Sequence, residues 1–230
     1  MSSLNRLGIR GIIVQSILLI VGLAVLFISA GTLNWTNAWV YVGLVLSYWL
    51  ISTVVLALVN PWMLNERGSF VKKDIKSFER IWVIVFPLLT FGNLFVMGLD
   101  AVRFHWSFMP FWLTFLGVFM FVSATPFALW AMVVNRFFEW TARIQDDKHQ
   151  YVCKSGPYRI VRHPGYSGLI FSILAYPLVL GSRWGFLLSS ILTVMIVIRT
   201  AMEDRMLRMK LPGYVEYVKQ VKYRLIPLVW

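Results

Sequence analysis

Four long apolar stretches, at residues 11–30, 39–59, 81–99 and 110–134, dictate most of what this chain can become. Each supplies the roughly 20 residues that a helix needs to cross about 30 Å of hydrocarbon. Backbone in lipid must satisfy its own hydrogen bonds, so such runs fold as helices. Composition agrees: 59% of residues are hydrophobic and 14% charged, against roughly 25% charged in soluble domains. Two shorter runs, 166–181 and 184–198, are joined by the turn-like Gly181-Ser-Arg-Trp-Gly185. They read as a helical hairpin that either spans with little tilt or stops short of the far surface. The expected fold is therefore all-α: a polytopic membrane helical bundle of five to six transmembrane helices, including that C-terminal hairpin. Arg6 and Arg10 precede the first run, which exceeds a secretory signal core and reads as an uncleaved anchor. Pro87 and Pro126 fall inside spans, where proline kinks a helix.

The charges sit between these runs. With the N-terminus cytoplasmic, 20 of the 22 lysines and arginines lie on that side, leaving only Arg103 and Arg183 opposite. That asymmetry follows the positive-inside rule and predicts cytoplasmic termini and a cytoplasmic active site. A net charge of +12 does not point to nucleic acid, because no basic face or recognition module accompanies it. Trp35, Trp39, Trp106, Trp112 and Trp184 fall near run ends, where amphipathic rings favour the headgroup region. The single cysteine, Cys153, excludes an internal disulfide and a cysteine-only metal cage. No repeat or soluble domain is visible. The chain divides into N-terminal spans, 1–134, and a polar-plus-hairpin region, 135–230, within one membrane domain.

Polar segments beside spans are expensive and usually line protected cavities. One is Gly156-Pro-Tyr-Arg-Ile-Val-Arg-His-Pro-Gly-Tyr166, which ends where a helix should begin and leaves backbone N–H groups free for a carboxylate. An ordinary helix entry with solvated basic residues gives the same pattern. The second is Arg199-Thr-Ala-Met-Glu203-Asp204, whose Arg199 and Glu203 share a helix face. They form either a helix-end ion pair or, with the first segment, the contacts an amino-acid-like ligand requires. After the breaker Leu211-Pro-Gly213, Tyr214, Tyr217, Val218 and Val221 recur at helical spacing. This tail reads as an interfacial helix, which associates with the membrane or caps the site. No His-Glu-x-x-His pattern, phosphate loop or G-x-S-x-G elbow is present, and no metal is expected. Asp146, Asp147 and His105 read as solvated loop residues.

Taken together, Gly156-Pro-Tyr-Arg-x-Val-Arg-His-Pro-Gly-Tyr166, Arg199-x-x-x-Glu203-Asp204, Pro212-Gly-Tyr-x-x-Tyr217 and Arg224-x-Ile-Pro227 resemble the isoprenylcysteine carboxyl methyltransferase family. Arg143-Ile-Gln145 and His149-x-x-Val152 resemble its preceding segment, and the likeness covers about residues 135–230. The resemblance implies a membrane methyltransferase using S-adenosyl-L-methionine. Gln145, His149, Gln150, Tyr151, Val152, Tyr158, His163, Pro164, Gly165, Tyr166 and Glu203 would bind the cofactor in a cytoplasmic loop. Arg199 would hold a substrate carboxylate, so that Arg199 and Glu203 carry catalysis. The implied partners are the bilayer and a lipophilic methyl acceptor, with no nucleic acid and no obligate protein partner. The main expectation is methylation of a lipophilic carboxylate. The alternatives are a thiol or phospholipid-amine methyltransferase on the same scaffold, an NADPH-dependent sterol-reductase-like enzyme, and a non-enzymatic transport or scaffold protein.

Overall fold

A computed structural model describes residues 3–68, 77–139 and 150–230, with the side chains of 77–81 excepted. The described residues form eight α-helices and no strands. These are α1 (Arg6–Ala30), α2 (Thr36–Val59), α3 (Pro61–Arg67), α4 (Ser77–Gly98), α5 (Trp112–Val134), α6 (Pro164–Leu180), α7 (Gly185–Lys210) and α8 (Tyr214–Gln220). A π-helical turn, Leu99–Arg103, continues α4, and a 3-10 turn, Gly156–Arg159, precedes α6. Five helices are long and apolar enough to cross a membrane, which makes this a multi-pass membrane protein. The sixth, α6, has 17 residues and a rise of about 25 Å.

Local chemistry explains several helix ends. The Asn5 side chain accepts from the N–H groups of Leu7 and Gly8 at the start of α1, satisfying donors that a helix leaves open. Gly31 closes α1 with φ 73°, a left-handed conformation that favours glycine. At the same end of the molecule as the start of α1, Asn65 of α3 accepts from the Asn5 N–H at 3.0 Å. That bond helps pin α3 against α1.

Helix α6 is the buried centre. Ile170, Ile173, Ala175, Val179 and Leu180 are all buried, whereas α2 leaves Leu50 and Leu58 exposed, as a lipid-facing helix should. Its tightest neighbour is α5. A Cβ on Gly168 would lie 2.6 Å from the Ala128 Cβ, and one on Gly117 would lie 2.7 Å from the Leu178 Cβ. Small residues at both ends of the pair let the backbones close up, which drives helix association where lipid competes with apolar side chains. A buried polar tie adds direction: the Asn93 amide of α4 donates to Ser189 Oγ of α7 at 2.9 Å, and Ser189 donates to the Ile173 carbonyl of α6 at 3.2 Å.

At the end of the bundle remote from the N-terminus, Asp100 is fully buried. Its Oδ2 accepts from Ser182 Oγ at 2.6 Å, Ser107 Oγ at 2.8 Å and the Trp184 N–H at 3.1 Å. Ser182 in turn accepts from the Gly185 N–H. The carboxylate thus fastens the hairpin turn to the end of α4. Four of the five terminal tryptophans stay at least half exposed, but Trp35 is buried in the core, where it packs with Ala38, Leu94 and Met97.

Candidate active site

The chain alternates direction through its long helices, so α5 ends, α6 begins and α7 ends on the same side as the start of α1. A cleft of about 770 Å³, counted to its open mouth, lies there. Of the expected cofactor residues, Gln150, Tyr151, Val152, Tyr158, His163, Gly165, Tyr166 and Glu203 line it. Gln145 and His149 lie outside the described residues. Pro164 is the first residue of α6, where proline's missing N–H is no loss.

Glu203 is held by Tyr166, whose hydroxyl donates to Oε2 at 2.7 Å. The Tyr166 ring also faces Arg199, whose guanidinium carbon lies 5.7 Å from its centroid and 4.4 Å from that of Trp82. Arg199 and Glu203 share a helix face as expected, with Tyr166 touching both. Arg199 is buried and is not a lining residue; it reaches the cleft through Tyr166.

Behind His163 stands a buried charge cluster centred on Asp204, 1% exposed. Arg162 Nε donates to its Oδ1 at 2.8 Å, and Arg208 Nε and Arg224 Nε donate to Oδ2 at 2.9 and 3.1 Å. Tyr214 donates to Oδ1 at 3.0 Å, and His163 Nε2 lies 3.6 Å from the same oxygen. Arg162 Nη1 donates to the carbonyls of Val221 and Lys222, both at 2.8 Å, and Nη2 donates to Asp204 Oδ2 at 3.5 Å. A buried guanidinium is tolerated only when its charge and donors are met in this way.

The tail completes the site. The N–H groups of Arg162 and His163 donate to the carbonyls of Tyr223 and Arg224, both at 2.9 Å, and Ser167 Oγ donates to the Leu225 carbonyl at 2.7 Å. Tyr214 and Tyr217 of α8 are buried, and Tyr217 donates to the Tyr158 carbonyl at 2.7 Å. Of the two readings open for the tail, its tyrosines therefore favour capping the site. Burial pushes the phenols of Tyr158, Tyr214 and Tyr217 well above their ordinary range, and for Tyr214 the Asp204 carboxylate adds to the effect. They remain protonated donors.

Asn135, Phe138 and Glu139 also line the cleft without having been singled out as ligands. Asn135 donates to the Tyr158 hydroxyl at 2.9 Å, and a Cβ on Gly165 would meet the Phe138 ring at 2.6 Å. Glycine at 165 leaves the helix start bare beside the cleft. Asn135 ends α5 directly before the polar loop, and that position was the one signal available for it.

The donor set suits S-adenosyl-L-methionine. Carboxylates at Glu139 and Glu203 match its ammonium and sulfonium charges, and the rings of Tyr151 and Phe137, 4.9 Å apart, offer aromatic surface for a base. No group of three or more His, Cys, Asp or Glu side chains able to hold a metal exists among the described residues.

Residues 112–212, from α5 through α7, match the model of the phospholipid methyltransferase family, PEMT. The family uses S-adenosyl-L-methionine and sits in one superfamily with the isoprenylcysteine carboxyl methyltransferases. No curated protein matches the chain. Among the acceptors left open by the sequence, the match supports the phospholipid-amine alternative better than carboxyl methylation.

Proposed function

We propose that the protein methylates the headgroup amine of a phospholipid, using S-adenosyl-L-methionine, at the membrane surface that carries its basic loops. The observation that carries this reading is one cleft gathering Gln150–Val152, Tyr158, His163, Gly165, Tyr166 and Glu203 inside a region that matches the phospholipid methyltransferase family model. When bound, the cofactor supplies a methyl group whose bond to sulfur breaks as the bond to the acceptor forms. Glu203, oriented by Tyr166, holds the cofactor's ammonium. Tyr151 and Phe137 would offer ring surface to its base, and the first turn of α6 after His163-Pro164 would present backbone N–H to its carboxylate.

An amine acceptor makes one demand that a carboxylate does not. A primary ammonium has a pKa near that of lysine, about 10, so it must lose a proton before nitrogen can attack. We assign that role to His163. Its Nε2 faces Asp204 and Tyr214, which leaves Nδ1 as the acceptor, the arrangement by which a carboxylate fixes a histidine tautomer. Arg199 orients Tyr166 from behind and, through it, Glu203. Positioning and water exclusion supply the remaining rate enhancement.

Radiolabelled methyl transfer in proteoliposomes tests this directly, with phosphatidylethanolamine, a prenylated cysteine, a fatty acid and a lipophilic thiol as competing acceptors. The expected product is a base-stable methylated amine lipid. A base-labile ester on the prenylated cysteine, with no labelled phospholipid, would return the reading to carboxyl methylation.

A further inference from the structure

A second concavity adjoins the cleft and has the opposite electrostatic character. It is lined by Arg136, Lys154 and Arg159 and by no acidic residue. All three cations are exposed, and none makes an ion pair among the described residues. This sets them apart from Arg162, Arg208 and Arg224, which spend their charge on Asp204. Three like charges around one hollow repel each other, and an anion relieves that repulsion.

The groove is unsuited to the methyl donor. That ligand carries a sulfonium and an ammonium against one carboxylate, so its net charge is positive. It belongs in the cleft beside Glu139 and Glu203. The two hollows share a wall formed by Asn135, Phe137, Tyr151 and Cys153. An anion in the groove therefore lies one side chain away from the donor's cleft.

The position of the groove selects the kind of anion. Arg136 lies two residues past Val134, the last residue of the spanning helix α5, with Asn135 between them. Trp130, on the last turn of α5, and Ile160, next to Arg159, are both nearly half exposed. An amphipathic ring and an aliphatic side chain at the end of a span mark the headgroup level. A ligand arriving there comes from the bilayer.

We infer that this groove is the seat for the phosphodiester of a phospholipid headgroup, gripped by Arg136, Lys154 and Arg159. Rotation about the two carbons between phosphate and amine then carries the nitrogen over the Tyr151 wall toward the cleft. Arginine suits the task because its planar fork grips phosphate oxygens in pairs, while Lys154 contributes a point charge. The inference rests on the acceptor reading for the amine's destination, but phosphate capture stands without it.

The experiment is calorimetric titration of the purified full-length protein in a neutral detergent. Its probes are short-chain phosphatidylethanolamine, the matching diacylglycerol without phosphate, and inorganic phosphate. The wild type is expected to bind the phospholipid at least 10-fold more tightly than either comparator. Arg136→Gln, Lys154→Gln and Arg159→Gln should each weaken it several-fold, and the triple variant should lose it. Arg136→Lys with Arg159→Lys should weaken binding less than the glutamine variants, since the charge remains while the paired grip is lost. S-adenosylhomocysteine affinity should stay within about 2-fold throughout, which also certifies that the variants fold. Wild-type lipid affinity in the triple variant would overturn the inference, as would equal binding of the phosphate-free lipid. Inorganic phosphate binding as tightly as the lipid would show a free-anion site, and loss of S-adenosylhomocysteine binding would assign these cations to the donor. Wild-type lipid binding without methylation of that lipid would remove the acceptor reading and leave the phosphate seat intact.

Discussion

Two buried aspartates stand at opposite ends of α7, and their surroundings differ completely. Asp100 meets hydroxyls and the backbone N–H of Trp184 at the start of the helix. Asp204, in the last two turns, meets three arginines, a tyrosine and a histidine. The helix dipole accounts for much of the contrast. Open N–H groups and a partial positive charge stabilise a carboxylate at the N-terminus, whereas the C-terminus repels one. The first aspartate is thus held by geometry that the helix provides. The second persists only because cations from the polar loop, from its own helix and from the tail converge on it. That convergence ties Arg162, and with it His163, to residues 221–225 at the wall of the cleft.

The largest break in this comparison is Asp204→Ala. It leaves Arg162 buried without a counter-charge, a change that costs about 3–5 kcal/mol in comparable buried pairs. We expect a steep fall in the thermal midpoint in detergent and at least 100-fold weaker S-adenosylhomocysteine binding, since His163 loses its backing. A variant with wild-type affinity would mean that the cluster does not organise the cleft. Asp100→Ala should be milder, at about 2 kcal/mol, because it strands neutral donors and no charge. Its midpoint should drop while affinity for S-adenosylhomocysteine is retained. Equal damage to binding from both substitutions would erase the distinction between the two ends.

The two ends were also unequally legible in the sequence. The spans and the location of the cleft could be read from apolar run lengths and from the Gly156–Tyr166 segment, since bilayer thickness and proline placement act locally. That the two motifs could share one site followed from their lying on one side of the membrane, but the hydrogen bond from Tyr166 to Glu203 was not legible. Asp204 was visible only as the neighbour of Glu203, because adjacent positions on a helix point apart and spacing does not say which one turns inward. Asp100 directly follows an apolar run, and two of its three partners, Ser182 and Trp184, lie more than 80 residues away. The close seam between α5 and α6 was equally hidden. Gly117, Ala128 and Gly168 are ordinary residues for any membrane helix until the facing backbone is known.

Finer substitutions around Asp204 grade the cluster by burial. Tyr214→Phe removes one hydrogen bond to a charged acceptor and keeps the ring. We expect a loss of about 1.5 kcal/mol in stability and several-fold weaker S-adenosylhomocysteine binding, measured by calorimetry. No change in either would show that α8 packs through its ring alone.

Arg208→Gln should do least. Its side chain is 40% exposed, against 2% for Arg162 and 27% for Arg224. Water already screens its pairing with Asp204, and exposed i,i+4 ion pairs contribute under about 1 kcal/mol. The midpoint should shift by only a degree or two at low salt and by less at high salt, where Arg162→Gln would remain severe. If the two substitutions were equally harmful, burial would not be what ranks the three arginines. The cluster would then have to be treated as a single unit in which losing any one cation releases the tail from the wall of the cleft.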